Sequence, residues 1–77
     1  MPITPMLNGA CQDLDQEVLD RAIAAATNIL NQPPQDGRNI LGGTILGQTY
    51  KPENHTIELN VQYQGQPPSG IVLLNIG

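Results

Sequence analysis

Residues 56–64 read TIELNVQYQ, and within them Ile57, Leu59, Val61 and Tyr63 alternate with Glu58, Asn60, Gln62 and Gln64 without interruption. A side-chain period of two belongs to a strand with one face buried and the other wet. This stretch therefore predicts a half-buried β-strand over 56–64, and its neighbours are read relative to it. On its N-terminal side, Lys51-Pro52-Glu53-Asn54 has proline where it presets φ at the second position of a tight turn. Before that turn, Ile40 to Tyr50 (ILGGTILGQTY) reads as a strand over 39–50 with a glycine pair inside it. On the C-terminal side, Gly65-Gln66-Pro67-Pro68-Ser69-Gly70 makes a second connection, and 70–76 reads as a third strand.

Ahead of the strands the period is helical. Leu14, Val18, Ala22, Ala25 and Ile29 form one line, with Leu19, Ile23, Ala26 and Leu30 on the next, a broad apolar stripe. Asp13 stands at an N-cap position with Gln16 three residues on, as in a capping box, and Asp15 and Glu17 complement the helix dipole. Proline disfavours the α region in the residue before it, so Asn31-Gln32-Pro33-Pro34 ends the helix and Gln35-Asp36-Gly37 completes a loop. The helix is placed over 13–31. Residues 1–12, punctuated by Pro2, Pro5 and Gly9, read as an extended arm. The expectation is a single small α+β domain over 1–77, one N-terminal helix packed on a three-stranded antiparallel β-meander in the order αβββ.

Seventy-seven residues with no Phe, no Trp and only Tyr50 and Tyr63 as aromatics must build an aliphatic core. A chain of this length buries only about 60% of the surface exposed when it is unfolded. Domains this small often rely on a disulfide, a metal or a second subunit. Cys11 is the only cysteine, so no bridge can form within the chain, which suits a reducing compartment. MPITPMLNGA lacks the basic residues and apolar run of a secretory signal, and no stretch reaches the roughly 18 apolar residues of a membrane helix. A cytoplasmic protein is expected, with no membrane partner. Arg21, Arg38 and Lys51 oppose seven acids, a net charge of −4, which disfavours binding to phosphate backbones and so to nucleic acid.

Candidate chemistry is sparse. His55 and Glu58 are close in sequence, but a spacing of three in a strand turns side chains to opposite faces. One His and one Cys fall short of a structural zinc set. Cys11 lies near the helix start, where a thiolate is stabilised, yet Asp13, Asp15 and Glu17 surround it with negative charge. Gly42-Gly43-Thr44-Ile45-Leu46-Gly47 lacks the terminal Gly-Lys-Ser/Thr and following helix of a phosphate loop. Its glycines mark a bulge or a close backbone approach instead. No catalytic residue, metal site or cofactor is expected.

The third strand carries the functional expectation. Ile71, Val72, Leu73, Leu74 and Ile76 are large and aliphatic, with only Asn75 polar among them. Such a run belongs in a sheet interior, or at an edge that pairs with another chain, since it lacks the charges, prolines and shortness that protect edges. One helix covers one face of a three-stranded sheet, so Ile71 to Leu74 cannot all be buried by the chain itself. The sequence thus predicts a non-catalytic, small, acidic protein-interaction module (adaptor, regulator or accessory subunit), homodimeric through Ile71, Val72, Leu73, Leu74 and Ile76. Asp13, Asp15, Glu17 and Asp20 form a possible acidic docking patch for an unidentified protein partner. The alternative is a small enzyme or ligand-binding protein with His55, Glu58, Tyr50 and Tyr63 lining a pocket between helix and sheet.

Overall fold

The structure, a computed structural model, describes residues 2–33 and 37–77. In chain order it contains strand β1 (Met6–Leu7), a 3-10 helix (Gly9–Asp13), helix α1 (Gln16–Leu30), β2 (Ile40–Lys51), β3 (Thr56–Tyr63) and β4 (Ser69–Asn75). The loop read at Gln35-Asp36-Gly37 lies, except for Gly37, outside the described residues. The strands form one sheet in the order β1-β2-β3-β4. β1 runs parallel to β2, whereas the β2–β3 and β3–β4 pairs are antiparallel.

The α+β class is present, but the three-stranded antiparallel meander is corrected to a four-stranded mixed sheet. The arm supplies the extra strand: Met6 pairs with Thr44 and Leu7 with Ile45, and the Asn8 N–H donates to the Ile45 carbonyl at 3.1 Å. A two-residue strand is too short to show a period, so the sequence pattern gives no sign of it. Farther back along the arm, the Asn31 side chain accepts from the Ile3 N–H at 2.7 Å and donates to the Ile3 carbonyl at 2.9 Å. The C-cap of α1 thus holds the arm at Ile3 through both of its backbone groups.

The helix start also differs from expectation. Asp13 closes the 3-10 helix, Leu14 is extended (φ −84°, ψ 144°) and turns against the core, and Asp15 takes the N-cap position. Gln16 donates forward to Asp20 at 2.8 Å, so no capping box forms. Beyond this break the predicted stripe is used as read. Ala22, Ala26 and Leu30 are fully buried, with Val18, Leu19, Ile23, Ala25 and Ile29 packed around the core.

Register determines which strand residues meet the helix. Ile45 pairs with Leu59 and Gly43 with Val61, while Leu59 pairs with Val72 and Ile57 with Leu74. These residues share the face beneath α1, and Ile45, Ile57, Leu59 and Val61 have no solvent exposure. Burying a side chain of this size stabilises by about 1.5–3 kcal/mol, so β3 anchors the core. Gly43 permits a close approach of the helix, since a Cβ there would lie 2.9 Å from Leu30 Cδ2. A register shift lies between Ile40 and Gly42, so the glycine pair marks a bulge and a close contact together.

Candidate functional site

The two outer strands of the sheet are finished differently. On the β1 side, β1 itself is two residues long and follows Pro5, and the chain then folds into the 3-10 helix against β2. Asn8 joins the two: its Oδ1 accepts from the Gly47 N–H at 2.9 Å, and its Nδ2 donates to Gln48 Oε1 at 2.6 Å. Gly47 is buried so tightly that a Cβ there would meet the backbone of Ala10 and Cys11. A second register shift, between Leu46 and Lys51, accompanies this contact. Thr49 bridges it, donating its hydroxyl to the Leu46 carbonyl at 2.7 Å and accepting from the Glu58 N–H at 2.9 Å.

On the other side, β4 pairs with β3 alone among the described residues. The Ile76 N–H donates to the His55 carbonyl at 2.8 Å, and the Pro68 carbonyl accepts from the Tyr63 N–H at 2.8 Å. Bonded pairs recur every second residue of an antiparallel ladder. Val72 and Leu74, in step with positions 68 and 76, therefore direct their backbone groups to β3, and Ile71, Leu73 and Asn75 direct theirs to the open edge. Ile71 and Leu73 are also exposed as side chains, at 57% and 64%. Both stand on the face opposite α1, where Leu73 is level with Glu58 and Ile71 with Asn60. Met6, 69% exposed, shares that face through its pairing with Thr44.

The structure thus divides the five apolar residues singled out in the third strand. Leu74 and Ile76 are buried in the chain's own core and Val72 is half-buried, leaving Ile71 and Leu73 exposed. The four acids are exposed around the helix start. Two of them have local partners: Glu17 pairs with Arg21 at 2.8 Å, and Asp20 accepts from Gln16. Asn8 joins the 3-10 helix to β2 at the covered edge, and no sequence pattern marks it, because its β2 partners lie some 40 positions along the chain.

The residues considered for chemistry are scattered. His55 sits in the turn at positive φ, 56°, with Gly77 against its ring, while Glu58 is in β3 on the face opposite α1. Tyr63 stacks beneath Arg38, whose guanidinium carbon lies 4.2 Å from the ring centroid, and Arg38 also donates to the Pro67 carbonyl at 2.6 Å. Among the described residues no three His, Cys, Asp or Glu side chains cluster as metal ligands, and no helix is long and apolar enough to cross a membrane. Cys11 is buried, its thiol directed at the Ile45 carbonyl (3.4 Å) and at Asn8 Oδ1 (3.5 Å). It borders an open recess of about 290 Å³, also lined by Leu7, Asn8, Gly9, Gln12 and Leu19. Comparison with known proteins finds no family model, no curated protein and no solved structure that matches the chain.

Proposed function

We propose that this chain is a non-catalytic protein-interaction module, an adaptor, regulator or accessory subunit, that associates with itself through the edge of β4. One observation carries the reading: Ile71 and Leu73 present exposed aliphatic side chains on a strand whose outer backbone groups have no strand partner among the described residues. An edge of this kind recruits another strand, with main-chain hydrogen bonds supplying affinity and side chains supplying selectivity. Sedimentation equilibrium at micromolar concentration tests it. The expected result is a dimer that Leu73→Lys converts to a folded monomer. A monomeric native protein, or a dimer indifferent to Leu73→Lys, overturns the reading.

The recess beside Cys11 favours a second reading, a site for a small apolar ligand. It lies where β1, the 3-10 helix and α1 meet, and His55, Glu58, Tyr50 and Tyr63 are not among its lining residues. Fluorescence of an apolar dye that rises with the native protein and is lost in Leu19→Lys would support this reading over the first.

A further inference from the structure

Resting on the proposed self-association, we infer that two copies join β4 to β4 in antiparallel register about a two-fold axis at Val72, so that Ile71 of each copy faces the partner's Leu73. The strand Ser69–Asn75 reads SGIVLLN, and reversed against itself about Val72 it complements itself in size and polarity. Ser69 meets Asn75, Gly70 meets Leu74, Ile71 meets Leu73, and Val72 meets its own copy. Polar residues face polar ones, the glycine faces a large side chain, and the exposed aliphatics face each other. The backbone agrees. Ile71, Leu73 and Asn75 point outward, so this register matches each outward pair with another and uses the full length of the strand. Shifting the axis to Leu73 would set Ile71 against Asn75 and carry Ser69 past the strand end.

Electrostatics permits the same arrangement. β4 contains no charged residue, so pairing it with itself brings no like charges face to face. Glu58 is level with Leu73 on the adjacent strand, and the two copies of its strand would lie three strand spacings apart, roughly 14 Å. That exceeds the Debye length of about 8 Å at physiological ionic strength. A face-to-face stack of the uncovered sheet surfaces would instead bring the Glu58 side chains of two acidic molecules together. Edge pairing also closes on itself: both outer edges of the resulting eight-stranded sheet are β1 edges, each only two residues long and following Pro5, too short to template a further strand, so assembly stops at two copies.

Cysteine trapping tests the register. Directly opposed residues of a non-hydrogen-bonded antiparallel pair have Cα atoms about 4.5 Å apart, within disulfide reach. Val72→Cys should therefore be converted by a mild oxidant such as diamide to a covalent dimer. Leu73→Cys should not, because in this register its copy lies two residues along the strand and beyond about 7 Å. Buried Cys11 leaves the native protein uncrosslinked as the control. A native dimer in which Val72→Cys fails to crosslink, or Leu73→Cys crosslinks in preference, overturns the register while leaving self-association standing. A native monomer overturns both.

Discussion

On the β1 side of the sheet, Ile45 and Gly47 of β2 find partners in Asn8, and the chain beyond Asn8 coils into a 3-10 helix tight against the strand. On the β4 side, Ile71 and Leu73 offer outward backbone groups and exposed aliphatic side chains with neither proline nor charge beside them in the strand. The two edges belong to one sheet and differ in strand length and in what folds over them. A very short strand and a covering 3-10 helix are present on one side only. The chain is thus able to shield an edge, and the unshielded one is a difference in construction that small size alone does not explain.

The largest expected effect comes from breaking the shielded side. Gly47→Val places a side chain where the backbone of Ala10 and Cys11 now lies, and backbone cannot yield as a flexible side chain would. A cost of about 3 kcal/mol or more is expected from overpacking of this kind. At roughly 0.05–0.15 kcal/mol per residue, that is a large part of the stability of a domain this size. Urea denaturation should show a much lower midpoint, and an unchanged midpoint would mean that the 3-10 helix moves aside freely. Asn8→Ala is next. It removes the acceptor of the Gly47 N–H and the donor to Gln48, and a buried N–H left unsatisfied costs about 1–3 kcal/mol. Amide exchange at Gly47 should accelerate while Leu59 stays protected, so that the two sheet edges become alike in exposure.

At the open edge the effect should fall on association instead of stability. Leu73 is mostly exposed, so Leu73→Lys should change monomer stability by no more than about 0.5 kcal/mol. It should weaken the dimer at least about tenfold, because an edge lysine is the charge that natural edges use against pairing. Equal unfolding midpoints measured at a concentration where both proteins are monomeric, with different sedimentation, would separate the two consequences.

How much could be read from the sequence follows the distance over which each feature is determined. The alternation of Ile57, Leu59, Val61 and Tyr63 and the stripe through Ala22, Ala26 and Leu30 are local periods, and each marks the face that the structure buries. The arm was legible as extended and no further, because β1 is held by long-range bonds: Asn8 to Ile45, Gly47 and Gln48, and Ile3 to Asn31. The helix start was misplaced because both Asp13 and Asp15 satisfy the residue preference of an N-cap. The extended backbone of Leu14, between the 3-10 helix and α1, is what leaves the cap to Asp15, and no local period records that break. At the third strand, composition indicated an excess of apolar side chains. Only the sheet order reveals that Leu74 and Ile76 are absorbed by the core and that Ile71 and Leu73 remain outside.

The smallest expected effect concerns a surface on neither edge. Glu17 and Arg21 form an i,i+4 pair at 2.8 Å with side chains 76% and 55% exposed, and pairs of this kind are worth about 0.3–0.5 kcal/mol. Glu17 also lies in the first turn of α1, where a negative charge gains about 0.3–1 kcal/mol from the helix dipole. Glu17→Gln should therefore lower stability by less than about 1.5 kcal/mol, and the loss should shrink as salt rises, since solvent screens both contributions. Its effect on association separates the two candidate surfaces. If the edge of β4 joins the copies, neutralising Asp15, Glu17 and Asp20 together should leave the sedimentation of the dimer unchanged. If the acids took part in that contact, their removal would alter the dissociation constant, and the contrast between the two edges would no longer explain how the copies meet.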